Sequence, residues 1–204
     1  MPTTVTKTVK SSGGDYTSLS AWNAGEAADI VTLDQIRQAE CYNFVDTTAV
    51  GFDQTWVTDA TRYYRIFAFD NHNGLYGTSS YRLEVTNRQL LEFKTISTRI
   101  DARVEGLLLT GTGDGIDASQ IIVVEQTAAT GSIRVERCLG TIGGTSAAGE
   151  VFALVQVKSS GTAATYVVNC VAFDIIGTAG TEYGFFSDGV AGAWFYNCTA
   201  QNCD

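Results

Sequence analysis

RVERCLG (Arg134–Gly140), VVNCVAF (Val167–Phe173) and FYNCTAQ (Phe195–Gln201) are three segments written in one frame. Their central cysteines, Cys138, Cys170 and Cys198, recur at a nearly constant interval. RVEGLLL (Arg103–Leu109) fits the same frame, with Gly106 standing one such interval before Cys138. A second series runs between them: QLLEF (Gln89–Phe93), QIIVV (Gln120–Val124), FALVQV (Phe152–Val157) and YGFFS (Tyr183–Ser187). Two interleaved series with one period indicate a repeat architecture, and the period selects the fold.

From Tyr81 onward each repeat holds three short apolar stretches, separated by turns such as GTGDG, GTSAAG and GTAG. Roughly 32 residues with three strands is too short for a four-stranded propeller blade, and the L-x-x-L-x-L signature of leucine-rich repeats is missing. The expectation is an all-β chain: a right-handed, three-faced parallel β-helix whose turns stack about 4.8 Å apart. Stacking brings equivalent residues together, so Cys138, Cys170 and Cys198 form a column of buried free thiols. Just before it runs Glu105, Arg137, Asn169, Asn197. Asn tolerates the left-handed conformation of a tight corner, so Asn169 and Asn197 mark a corner with stacked amides. Glu105 and Arg137 break that pattern.

Ahead of the repeats, residues 1–34 hold a strand, TVTKTVK (Thr4–Lys10), and a short helix over Tyr16–Ala28, with Asp15 or Thr17 as its cap. Leu19, Trp22 and Glu26 share one helix face, and this helix is expected to close the first rung. Residues 35–80 read as a first coil carrying an aromatic-rich insertion (Asp46–Ser80), in which Arg62–Phe69 looks like a strand and Asp70–Ser80 like a loop. Residues 81–204 complete one continuous domain.

The chain has 204 residues, 45% apolar and 17% charged, with 21 Gly and one Pro, a mix that suits many strands joined by tight turns. A net charge of −9 with no basic stripe argues against nucleic acid and anionic membranes as partners. Neither a secretory signal nor a run long enough to span a bilayer is visible, so cytoplasmic synthesis is expected. Five cysteines, three of them in one column, fit neither a disulfide framework nor a zinc site, and no metal or cofactor is expected.

Catalytic signatures are sparse. Glycoside hydrolysis needs two carboxyl groups flanking the bond, and the supply is Asp101, Glu105, Asp114, Asp117, Glu125 and Glu136. Asp114 and Asp117 sit in a turn where building a tight corner is the preferred reading. The single histidine, His72, lies in NHNG and reads as a turn residue. The aromatic cluster is the better candidate: Trp56, Tyr63, Tyr64 and Tyr76 could stack on sugars or anchor a partner, packing into a small core being their alternative fate.

The opening VKSSGGDYTSLSAW and the strand ending AECYNF resemble the N-terminal cap and first coil of right-handed parallel β-helix (pectin-lyase-like) proteins. They are similar in particular to a poorly characterised group in bacteriophage and bacterial genomes, whose later coils also carry the NC pair seen at Asn169–Cys170 and Asn197–Cys198. The fold hosts lyases, hydrolases, epimerases and inert virion proteins. The Gly-His-Gly and Arg-x-Lys segments of its hydrolases are absent, and Arg134 and Arg137 have no acid cluster to make a lyase site. The resemblance implies a non-enzymatic virion structural protein, a decoration, spike or fibre component assembled in the host cytoplasm. Its expected partners are its own copies, as a trimer, and other virion proteins. A polysaccharide-active enzyme and a glycan-binding adhesin are the alternatives.

Overall fold

The computed structural model describes residues 1–203 apart from 53–54, 71, 73, 76, 78, 87–88, 96–98, 115–119, 127–129, 146–150, 159–161, 179 and 189–191. Strand β1 (Thr3–Val9) leads into helix α1 (Leu19–Glu26). The first turn of the solenoid then takes β2 (Gln35–Cys41), β3 (Val45–Asp46) and β4 (Val50–Phe52). The second takes β5 (Tyr64–Ala68), β6 (Arg82–Thr86) and β7 (Leu91–Thr95), and the third β8 (Asp101–Glu105), β9 (Leu108–Asp114) and β10 (Gln120–Gln126). The fourth holds β11 (Ser132–Glu136), β12 (Leu139–Thr145) and β13 (Val151–Val157). The fifth holds β14 (Ala164–Val168), β15 (Val171–Ile175) and β16 (Thr181–Ser187), and β17 (Ala193–Tyr196) and β18 (Thr199–Cys203) begin a sixth.

These strands form three parallel sheets, ordered β1-β2-β5-β8-β11-β14-β17, β3-β6-β9-β12-β15-β18 and β4-β7-β10-β13-β16. The expected all-β, three-faced parallel solenoid with one short helix is what the chain forms. Along each strand alternate residues point inward, so one column of the core reads Ala39, Ile66, Val104, Val135, Val167, all fully buried. Next in that column is Phe195, on the last described rung, which is 36% exposed.

The frame read from sequence slips by one position at its first repeat. Glu105 pairs with Glu136, so Leu107, not Gly106, is the counterpart of Cys138. Gly106 belongs to the corner: it has φ 69°, followed in the same column by Arg137 (φ 52°), Asn169 (φ 54°) and Asn197 (φ 52°). Only Gly and, at lower cost than other residues, Asn enter this left-handed region readily. Asn197 Nδ2 donates to Asn169 Oδ1 at 2.7 Å, making the amide ladder. The next column is Phe44, Tyr81, Leu107, Cys138, Cys170, Cys198, so thiols end a series that begins with an edge-to-face pair of rings 5.3 Å apart. All five cysteines are free, with Cys198 half-buried. Hydrogen bonding between neighbouring sulfurs and burial push the Cys170 and Cys198 thiols upward, which keeps them protonated and unreactive.

The segment 46–80 is less irregular than its aromatic content suggests. Strands β4 and β5 both lie inside it and are ordinary rung strands. Arg37 pairs with Tyr64, and Tyr64 in turn with Ala102, which makes the second turn of the chain much longer than the first. The extra length falls in the connection 69–80.

Helix α1 closes the first turn. Ser18, not Asp15 or Thr17, is its cap, because Ser18 Oγ accepts from the Ala21 N–H at 3.0 Å. Asp15 is occupied with the Thr8 N–H and hydroxyl and with Lys7. The expected face, Leu19, Trp22 and Glu26, is buried. Asn23 bridges, donating from Nδ2 to the Gly51 carbonyl on the edge strand β4 and accepting from Trp56 Nε1. Below the helix, Glu26 takes the Tyr16 hydroxyl at 2.6 Å and an ion pair with Arg37. The hydrogen bond to Glu26, with burial, pushes the Tyr16 phenol up to about 12. Gly25 permits this approach, since a Cβ there would meet the Tyr16 hydroxyl oxygen at 2.6 Å.

Two stability outcomes are expected in urea titrations followed by circular dichroism. Trp22→Ala should cost about 3–5 kcal/mol, by opening a cavity between helix and first turn. Asn169→Val should cost about 1–3 kcal/mol through its left-handed φ, whereas Asn169→Gly should stay close to wild type, less the amide ladder bond.

Candidate functional site

On the seven-stranded sheet the residues between the inward ones face outward, and register aligns them in columns. One column reads Thr6, Gln38, Arg65, Arg103, Arg134, Tyr166, Trp194. Beside it, two positions further along each strand, runs Thr8, Glu40, Phe67, Glu105, Glu136, Val168, Tyr196. Three successive arginines thus stand beside two successive glutamates.

The charges pair diagonally as well as along the strand. Arg65 holds Glu105 with two bonds, Nε to Oε1 at 2.8 Å and a second nitrogen to Oε2 at 2.6 Å. Arg134 pairs with Glu136 on its own strand. Arg137, at the corner, reaches both carboxylates, at 3.2 Å and 3.4 Å. Burial alone would raise the Glu105 carboxyl. The hydrogen bonds and charge of Arg65, aided by Arg137 and Arg103, outweigh it and hold the group below its ordinary value. Arg103, exposed like Arg134, differs from both column neighbours in making no ion pair among the described residues. Its guanidinium lies 3.9 Å above the centre of the Tyr63 ring.

Around Arg103 the surface sinks into a concavity of about 220 Å³ lined by Tyr63, Asp101, Ser132, Arg134 and Tyr166. Asp101 is turned away from Arg103 toward Arg99, which binds both of its oxygens. Tyr166 and Trp194 stack on each other, centroids 4.9 Å apart and planes 15° apart. Stacked along the axis, the two rings each cover one face of the other. The column carries donors along its length: guanidinium N–H, phenol O–H and indole N–H. A second hollow, about 460 Å³, lies beside Thr47, Thr48 and Glu84, but Glu84 is already paired with Arg82 at 3.2 Å.

Among the described aromatic residues singled out from sequence, only Tyr63 reaches this site. Trp56 and Tyr64 are fully buried, packed on each other at 4.6 Å and on Trp22 and Phe52. They fill the end of the core beneath α1 and offer no stacking surface, which is a correction to their reading as ligand contacts. Tyr76 lies outside the described residues, as does Asp117; the Asp114 side chain is likewise not described. Glu125 sits on another sheet, facing Lys94 at 3.6 Å. Cys138, Cys170 and Cys198 stack in one column, and Asn169 and Asn197 in the column before it. The arginine column went unread, although the tripeptide Arg-Val-Glu occurs at 103–105 and again at 134–136 and puts Arg and Glu on one face.

His72 is no free turn residue. Gly74 N–H donates to its Nδ1 at 2.9 Å, so the proton is on Nε2, which donates to the Arg137 carbonyl at 2.6 Å. The ring thereby pins the 69–80 connection to a corner two turns away. Burial, together with the nearby Arg137 charge, lowers its pKa against the raising effect of the carbonyl bond.

Comparison of the chain with protein-family models, curated proteins and solved structures found no match.

Because docking favours neutral His72, the contact is at full strength above the ordinary histidine value of about 6.5 and weakens as pH falls below it. Hydrogen exchange corrected for intrinsic rates should show the Gly74 amide losing protection between pH 7.5 and 5, with core amides of β11 unchanged. His72→Gln should remove that pH dependence.

Proposed function

We propose that this chain is a non-enzymatic, rigid surface element: a β-solenoid that holds out the outer face of its seven-stranded sheet to a glycan. A decoration, spike or fibre component of a bacteriophage particle is the setting in which we place it. The observation that carries the reading is the donor column Arg65, Arg103, Arg134, Tyr166, Trp194, set in register on one stiff sheet. Sugars are rich in acceptor oxygens, and donors repeated at the stacking distance of about 4.8 Å suit a linear chain laid along the axis. Rigidity follows from the unbroken inward columns and cuts the ordering cost of binding.

The state of the carboxylates supports a binding role over hydrolysis. A glycosidase needs one carboxyl with a raised pKa to protonate the leaving group. Glu105, beside the concavity, is instead held ionised by Arg65. Asp101 is buried against Arg99.

The test pairs retention with turnover. Purified protein should be retained on a polysaccharide array and release no reducing ends from any polysaccharide it binds. Tyr166→Ala with Trp194→Ala should lower retention at least tenfold with no change in far-ultraviolet circular dichroism. Release of reducing ends would make the chain an enzyme, and retention on nothing would end the glycan reading.

A further inference from the structure

Arg103 sits where electrostatics would not place it for the fold's sake. Its column neighbours on both sides are arginines, Arg65 and Arg134, one strand spacing away. Like charges directly opposite each other on adjacent strands destabilise a sheet. Arg65 and Arg134 are relieved by Glu105 and Glu136. Arg103 makes no ion pair among the described residues: the Glu105 on its own strand, which its charge helps to hold ionised, is bound by Arg65 and Arg137. The fold does not demand a cation at this position, because other turns fill the same column with Thr6, Gln38, Tyr166 and Trp194. In a chain of net charge −9, an exposed arginine between two others, without an ion pair among the described residues and open to a concavity of about 220 Å³, is placed to take an anion.

We propose that the Arg103 concavity binds an oxyanion, a carboxylate or sulfate carried on a linear glycan, and that Arg103 is the residue that selects acidic over neutral glycans. The inference rests on the glycan reading above and adds its charge class. The anion sits against the Arg103 guanidinium, whose orientation is fixed by its seat on the Tyr63 ring. Arg134, beside it and half exposed, supplies a second set of N–H donors. The Ser132 and Tyr166 hydroxyls complete the lining and donate to further glycan oxygens. Asp101 does not repel the anion, since both its oxygens are engaged by Arg99.

The experiment uses an array of neutral, carboxylated and sulfated glycans, with dextran and carboxymethyl-dextran as a pair sharing one backbone and polyglutamate as a peptide control. Wild type, Arg103→Gln and Arg103→Lys are compared over a salt series, with circular dichroism to confirm folding. The expected result is at least tenfold stronger retention of carboxymethyl-dextran than of dextran, lost in Arg103→Gln and partly restored in Arg103→Lys. It should weaken with salt, and less steeply in Arg103→Gln. Equal retention of neutral and acidic glycans, or acid selectivity untouched by Arg103→Gln, overturns the charge proposal and leaves the glycan reading standing. Retention of polyglutamate as strong as of carboxymethyl-dextran overturns it in favour of an acidic peptide. Retention of none removes both.

Discussion

Every turn of this molecule is hydrogen-bonded to the same positions of the turn below, and that in-register stacking is the constraint from which the rest follows. Once register is set, no residue chooses its neighbours independently: Val135 must lie on Val104, and Asn197 on Asn169. The inward columns respond by repeating β-branched and small residues that tile at a fixed spacing. From the third rung on, corners respond with Gly106, Asn169 and Asn197, because there the chain turns through the left-handed region at that place. Arg137, the bulkier occupant of the same corner, is compensated locally: its carbonyl takes the His72 ring, and its guanidinium reaches Glu105 and Glu136.

The same constraint explains what could be read from the sequence. Where turns keep a constant length, as from Ser132 to Ala164, identical residues recur visibly and the cysteine and asparagine columns stand out. Where length changes, the columns persist in space but vanish from the text. The step from Asp101 to Ser132 is one residue shorter than the step from Ser132 to Ala164, so a fixed ruler put Gly106 one place out, and the longer step from Tyr64 to Ala102 hid the link from Arg65 to Arg103. The aromatic cluster misled for a different reason. Trp56 and Tyr64 are the size that exposed binding residues often are, and burial at the end of a solenoid leaves no periodic trace, since only one rung is closed in this way. The helix was legible because amphipathic spacing needs no partner to be seen; its cap was not, because Asp15, Thr17 and Ser18 are all competent and only the fold of β1 decided among them by claiming Asp15.

The two ends show what a column requires to be dry. Beneath the first turn, Trp22, Trp56, Tyr64 and Phe52 pack against one another, and polar needs are met by Asn23 and by the Tyr16–Glu26–Arg37 cluster. Edge strand β4 finds a donor in Asn23, so a side chain does the work of a missing strand. At the other end Phe195 continues a column whose earlier members are fully buried, and it is 36% exposed. Burial in a solenoid thus comes from the turn above and the turn below together, not from the strand's own composition.

Polar columns obey the rule differently from apolar ones. Stacking a residue on its own kind is favourable for amides, thiols and rings, which can bond to or lie flat on a copy of themselves. It is unfavourable for charges, and the outer face of the seven-stranded sheet shows the remedy: an adjacent column of opposite sign, reached diagonally. Arg65 binds Glu105 one turn on, and Arg137 binds it from a turn ahead, so that carboxylate ties the rungs on either side of it together. Such a lattice is balanced only if the two columns have equal length. Here Phe67 stands between Glu40 and Glu105 in the acidic column, under the Arg65 guanidinium that packs 4.3 Å from its ring centre, so the acids and the arginines are out of step. Arg65 and Arg134 each close an ion pair with a glutamate, and Arg103, the one in the middle, facing the hollow, is the one of the three that makes none among the described residues.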